Sequence, residues 1–281
     1  MPPSNARRHI VAKSNPRPKH VLSALEILRR LQALGYFGDQ KWAQVKKTSG
    51  KALEAAIRQY QEFNGLEPTG VVGPRTAHVM ARRRCGLPDF NISGGNGPCK
   101  WPMPNITYYT NIKMPGLSAE QIQRAYDAAF GQWSAVCNIN PIRVDGPGLA
   151  NIFAQSGKGK AVGLDDRGGT LAWSELPCDV TEQMQLDQMF DEAEDWSFDM
   201  AVAVICHELG HALGLAHLGK GNLMAPYYDP NVSTPQKGDI AAMAELYGKR
   251  KKPLKNAKSD TTQVHGTIMI NGRPYMLVPQ F

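Results

Sequence analysis

One stretch limits this chain more than any other: AVAVICHELGHALGLAH, residues 201–217. It is largely apolar, and His207 and His211 stand four apart, so in a helix both imidazoles leave one face about 6 Å apart along the axis and can share a metal. Glu208 is adjacent to His207 and cannot coordinate with the same geometry; it is placed instead to take a proton from metal-bound water. Gly214 lets the helix stop, and the turn after it brings His217 back as a third ligand. Three neutral nitrogens leave one tetrahedral position open, as a catalytic zinc requires and a structural zinc does not. Met224 follows seven residues after His217, in NLMAPYY. A bare HExxH arises by chance, and its plain alternative is a set of core histidines. The longer H-E-x-x-H-x-x-G-x-x-H with a methionine after it is far more specific.

The remainder divides into modules. Residues 1–20 read as a disordered lead. In 21–89, Leu22, Leu25, Leu28 and Leu31 recur at helical spacing before Gly35, a helix-ending glycine, and Leu53, Ala56, Ile57, Tyr60 and Phe63 form a second stripe before Gly65. Pro74 suits the first turn of a third helix, so a small three-helix bundle is expected over about 21–84. Residues 90–105, rich in Gly, Pro and Asn, read as a linker. A second module, 106–248, opens with the alternating ITYYTNI. Its next element is a helix with a capping-box pattern at Ser118 and Gln121, and Ile122, Ala125, Tyr126, Ala129, Phe130 and Trp133 share one face of it. Strand-like pieces follow at 142–144, 151–154 and 170–173, and DIAAMAELYG is a closing helix. Residues 249–281 read as a basic linker and a hairpin turning at Asn271-Gly272.

Charge separates the modules. Residues 1–90 carry 16 Lys and Arg against 6 Asp and Glu (+10), residues 91–248 carry 9 against 18 (−9), and residues 249–281 carry 7 against 1 (+6). The first two modules should attract within a Debye length of about 8 Å. On charge alone the basic module is equally a solvated surface or a nucleic-acid-binding one. Five cysteines (Cys85, Cys99, Cys137, Cys178, Cys206) are an odd number, so at least one is unpaired within the chain. Cys206, next to His207, is expected to be a reduced, packed thiol. No run of about 18 apolar residues exists, so no membrane-spanning helix is expected. The first twenty residues also lack the apolar stretch of a secretory leader.

Over about residues 20–248 the chain resembles the matrixins, the matrix metalloproteinase family of the metzincins, whose signature is the long histidine motif with its Met-turn at Met224. Arg84-Cys85-Gly86-Leu87-Pro88-Asp89 resembles the family's cysteine switch, with Arg83 where proline is usual. The bundle resembles the peptidoglycan-binding-like prodomain. Lys100-Trp101 and Ile106-Thr107-Tyr108 resemble the opening of the catalytic domain, and Asp239-Ile240 through Leu246-Tyr247-Gly248 its closing helix. The resemblance implies an α+β fold: a twisted mixed β-sheet with three helices, preceded by the small three-helix bundle. It implies a latent zinc endopeptidase with Glu208 as general base, one zinc on His207, His211 and His217, and Cys85 as a fourth ligand in the latent form. Arg82, Arg83 and Arg84 would favour that thiolate, although a buried, inert thiol is the alternative.

The resemblance also implies calcium on Asp165, Asp191 and Glu194, although DEAED is also simply an acidic run. Leu171 and Ala172 would lie on the substrate-binding edge strand and Tyr228 in the pocket wall. The four positions matching a second zinc site read Lys158, Lys160, Trp173 and Met189, none of them a ligand at neutral pH. The expected partners are a protein or peptide substrate and a glycan through the N-terminal module, with no nucleic acid; the expected state is an extracellular monomer. A cell-wall-targeted zinc hydrolase and a non-enzymatic binding protein are the rival readings.

Overall fold

The structure is a computed structural model and describes residues 22–90, 99–165, 167–178 and 181–250, with the backbone of 267–270 and 273–276. The lead, half of the linker (91–98) and the Asn271-Gly272 turn lie outside the described residues.

The first helix, α1 (Ala24–Ala33), starts at a capping box not anticipated from the leucine spacing: Glu26 N–H donates to Ser23 Oγ (3.3 Å) while Ser23 N–H donates to the Glu26 carboxylate (2.7 Å). The apolar stripe also differs from the expected one. Leu31 is buried but Leu25 is 46% exposed, and the packed residues are Leu22, Ile27, Leu28, Leu31 and Leu34. Each strict i+3 step rotates a residue about 60° backward around a helix, which carries Leu25 roughly 120° away from Leu31. A short α2 (Trp42–Val45) intervenes before α3 (Gly50–Phe63) and α4 (Pro74–Met80), so the bundle has four helical pieces. On α3, Ala56, Ile57 and Tyr60 are buried. Buried Gln61 donates to the Val71 carbonyl (2.9 Å) and accepts from Gly70 N–H (2.8 Å), tying down the turn before Pro74.

The second module is a six-stranded mixed sheet in the order β1-β5-β6-β4-β2-β3, with helices packed on it. Its strands are β2 (Asn105–Asn111), β3 (Asn140–Arg143), β4 (Ile152–Gly157), β5 (Thr170–Ser174) and β6 (Leu186–Asp191), and only the β5–β6 pair is antiparallel. The parallel β2–β3 pair needs a crossover, which α5 (Ala119–Val136) supplies. Ile122, Ala125, Tyr126, Ala129, Phe130 and Trp133 of α5 are buried, and the helix packs on α6 (Phe198–Ala212). At about 1.5–3 kcal/mol per large apolar side chain, this face contributes several kcal/mol to holding α6 in place. The closing helix, α7 (Lys237–Tyr247), begins two residues before the stretch read from the sequence. Beyond it, β7 (Thr267–Ile270) and β8 (Arg273–Met276) pair antiparallel, with Ile270 opposite Arg273.

The remaining strand, β1 (Arg84–Cys85), comes from the end of the bundle module and pairs parallel to β5. The chain thus completes its own sheet edge with the segment that joins its two modules.

Candidate metal centre

Helix α6 starts at Ser197, whose hydroxyl accepts from Met200 N–H (3.3 Å), and is buried almost throughout from Met200 to Ala212. It ends because Gly214 takes φ +108°, a left-handed conformation, with its bare Cα against the Cys99 carbonyl where a Cβ could not fit. The reversal places His217 beside the first two histidines, the three ring centroids lying 4.7, 4.8 and 5.5 Å apart. Met224 is fully buried beneath, its side chain against Gly210 of α6.

The Nδ1–H of His207 donates to the Leu223 carbonyl (2.8 Å) and that of His211 to the Leu215 carbonyl (2.7 Å). A carbonyl can only accept, so both rings turn an unprotonated Nε2 inward, and these two atoms lie 3.0 Å apart. Burial holds His207 down to about 3 and lowers His211 and His217 as well, keeping the rings neutral as metal ligands must be. Ligand atoms of Cys85, His207, His211 and His217 all lie within 4.8 Å of one another. Tetrahedral ligands with bonds of about 2.0–2.3 Å lie roughly 3.3–3.8 Å apart, so the donor types suit zinc and the cluster is close to the size of a zinc site, needing side-chain shifts of up to about 1 Å to close on it. His217 Nε2 and Glu208 Oε1, both buried without a hydrogen-bond partner, leave polar capacity at the same spot.

Glu208 is 1% exposed, and burial pushes its carboxyl up to about 8. The Cys85 thiol donates to its Oε2 at 3.6 Å. Burial, then the Glu208 charge, raises the Cys85 thiol well above its ordinary value, so the three arginines do not by themselves create the thiolate. Their guanidinium groups are engaged elsewhere. Arg84 pairs with Asp89 (2.6 Å), Arg83 with Glu194 (3.4 Å), and Arg82 donates to the Tyr228 carbonyl (2.8 Å). Deprotonation of Cys85 would therefore need a metal ion held within the cluster.

Segment 83–86 lies extended in a cleft with hydrogen bonds on both sides. Toward β5, Arg84 N–H donates to Gly169 (3.0 Å) and Gly86 N–H to Ala172 (2.7 Å). Toward the opposite wall, Cys85 N–H donates to Pro226 (2.9 Å) and Tyr228 N–H to Arg83 (3.2 Å). A narrow pocket opens beside the cluster, with Leu171, Val204, Leu223, Tyr228 and Val232 in its lining.

Three side chains that the sequence reading gave no role of their own make contacts at the cluster. Buried Asp239, on α7, accepts from the N–H groups of Leu223 (2.7 Å), Met224 (3.0 Å) and Gln236 (2.7 Å), fixing the turn whose Leu223 carbonyl anchors His207. Asp89 brings its Oδ1 within 3.2 Å of His217 Nδ1 while accepting from Tyr36 Oη (2.9 Å). Tyr227, 7% exposed, inserts into the bundle core, where its hydroxyl meets that of Tyr60. Only the Gln236–Asp239 contact, a capping pair three residues apart at the start of α7, is local; the other partners are distant along the chain, where repeated spacing carries no signal.

Among the described residues, the Cys85–histidine set is the only group of three or more such side chains with converging ligand atoms; Asp165, Asp191 and Glu194 form no such set. Asp165 accepts from Thr170 N–H (2.5 Å), buried Asp191 accepts from Ala193 N–H (2.7 Å), and buried Glu194 accepts from Gly168 N–H and meets Arg83. At the positions without second-zinc ligands, Trp173 stands opposite Met189 in the β5–β6 register and donates its indole N–H to the Val162 carbonyl (2.8 Å), closing the 158–163 loop. No ion pair joins Lys158 or Lys160 to Asp165 among the described residues. Cys99 and Cys178 form a disulfide, while Cys85, Cys137 and Cys206 are free and buried.

Residues 100–248 match the family model described as matrixin, and residues 24–80 match the one described as a putative peptidoglycan binding domain. Similar proteins include the interstitial collagenase of Sus scrofa, 34% identical over 78% of this chain and 48% of that protein. The neutrophil collagenase of Homo sapiens is 32% identical over 76% of this chain and 48% of that protein. The stromelysin-1 of Mus musculus is 31% identical over 73% and 45% respectively. The chain thus spans about half the length of the curated relatives it matches.

Proposed function

This chain belongs to the matrixin family, and on that premise we propose that it is a latent zinc endopeptidase whose bundle module blocks its own cleft. The observation that carries the reading is the buried convergence of His207, His211 and His217 with Cys85 at the remaining position and Glu208 beside it. A zinc ion held there would supply Lewis acidity to the scissile carbonyl and to the attacking water.

The chain's own residues supply the rest. The edge of β5 and the wall at 226–228, which now clasp segment 83–86, would align an extended substrate by main-chain hydrogen bonds, as strand addition does. The cavity lined by Leu171 and Tyr228 would seat an apolar side chain beside the cut. Glu208 takes the proton of the attacking water and returns it to the leaving amine as the C–N bond breaks. Calcium belongs to this reading as drawn from the family alone, since Asp165, Asp191 and Glu194 do not converge and Glu194 is paired with Arg83. The Cys99–Cys178 disulfide supports an extracellular destination, since such bonds persist in oxidising compartments. No helix among the described residues is long and apolar enough to cross a membrane.

The match over residues 24–80 favours a second reading, in which the bundle binds wall glycan and the substrate lies in the cell wall. The test is zinc analysis and peptide-library cleavage on the intact chain and on the chain nicked between residues 90 and 99 and freed of its bundle half. The nicked protein should bind zinc and cut peptides, while Glu208→Ala keeps the zinc and loses at least about 100-fold in rate. Absence of peptide cleavage by zinc-loaded, nicked protein would refute the endopeptidase, and release of wall fragments alone would select the second reading.

A further inference from the structure

The apolar cavity accounts for one side chain next to the cut, but the contacts of Arg82, Arg83 and Arg84 mark a second recognition element. The guanidinium carbons of Arg82 and Arg84 lie 5.5 and 5.1 Å from the centre of the Tyr227 ring, and that of Arg83 lies 5.6 Å from the Tyr228 ring. Arg82 also donates to the Tyr228 carbonyl at 2.8 Å. All are within the distance at which a guanidinium is attracted to an aromatic face. Arg84 stands directly opposite Tyr227 in an antiparallel bridge, and the same segment pairs with β5 on its other side. A bound peptide would be clasped the same way, so the guanidiniums occupy positions that side chains of a bound peptide would take.

The groups now covering Tyr227, namely Tyr60, Arg82, Arg84 and the bundle core, all belong to residues 22–90. When that part leaves, a tyrosine pair remains on the wall of a module carrying 18 acidic against 9 basic residues over 91–248. We propose that Tyr227, with Tyr228, forms a subsite for an arginine side chain of the substrate, and that Arg82 and Arg84 occupy it in the latent chain. The proposal rests on the endopeptidase reading for its substrate but not for its binding geometry. It makes Tyr227 a specificity residue: the enzyme favours peptides with arginine at one fixed position a few residues from the cleaved bond, on the side that pairs with the start of β5.

The test uses the full chain nicked in 91–98 and freed of its bundle half; the remaining part holds its own core, with every buried member between Trp101 and Met243. Two readouts are taken. In the first, peptides carrying arginine or norleucine at each position are cleaved. Arginine at one position should raise kcat/KM about twofold to fivefold over norleucine, as exposed cation–π contacts of this kind provide. That ratio should fall to about one in Tyr227→Leu and persist in Tyr227→Phe. In the second, calorimetry measures binding of a synthetic peptide of residues 81–87 with Cys85 replaced by serine. It is compared with the same peptide carrying leucine at 82 and 84, and the arginine form should bind more tightly by a similar factor that also depends on Tyr227. Cleavage without any arginine preference, or equal binding of the two peptides, overturns the subsite. Absence of cleavage with the binding preference intact overturns the endopeptidase reading and leaves the subsite standing.

Discussion

Asp239 makes no contact with the histidine nitrogens, yet its removal should disable the centre. Its carboxylate, fully buried, is the acceptor for three backbone N–H groups, of Leu223, Met224 and Gln236, at 2.7–3.0 Å. Asp239→Ala leaves these donors without a partner, and a buried donor so stranded costs about 1–3 kcal/mol. Two of the three sit in fully buried geometry, so a loss of about 3–5 kcal/mol is expected. For a domain of this size each kcal/mol corresponds to roughly 2–4 °C, so Tm should fall by about 6–20 °C. Asp239→Asn keeps one acceptor oxygen and should fall between the two. Because the Leu223 carbonyl fixes the His207 ring, zinc affinity should drop about 10–100-fold in the alanine variant. The assay is thermal unfolding at fixed free zinc and again in chelator, since metal bound to the folded state raises Tm by mass action. If Asp239→Ala melts within 2 °C of the parent under both conditions and holds zinc as tightly, the assignment of Asp239 to the turn is wrong.

Three further outcomes are expected from the site and its surroundings. Cys85→Ser should make the intact chain at least about tenfold more active without proteolysis, because a neutral hydroxyl is a poorer metal ligand than a thiolate. The gain should grow with salt, which screens the attraction between the +10 and −9 segments; a variant as silent as its parent at every salt would show that the bundle blocks by shape alone. The protein should hold one zinc per chain, and Trp173→Ala should expose the 158–163 loop to limited proteolysis, since the indole N–H to Val162 now closes it. Two tightly held zincs, or an unchanged digestion pattern, would contradict that.

The parts legible in the sequence were those whose partners are neighbours along the chain. The His207–His211 spacing, the Ser118–Gln121 cap, the buried face of α5 and Pro74 opening α4 all follow from helical periodicity, which covalent connection imposes before any tertiary contact exists. The capping box at Ser23 and Glu26 was equally local, but it was masked by leucines three apart whose regular spacing does not track a helix face. Strand β6 was missed because its inward positions are Leu186, Gln188 and Phe190. A buried glutamine breaks the apolar alternation, and only the fold supplies the Ser174 and Tyr126 hydroxyls that satisfy it. The Cys99–Cys178 bond spans 79 residues, and counting cysteines cannot select one pairing among several. What only the tertiary structure decided is how the modules meet: Cys85 over the histidines, Asp89 beside His217, Tyr227 inside the bundle core and Asp239 under the turn. Each contact joins groups that two separately packed cores bring together, so its partner is set by how those cores dock and not by any spacing along the chain.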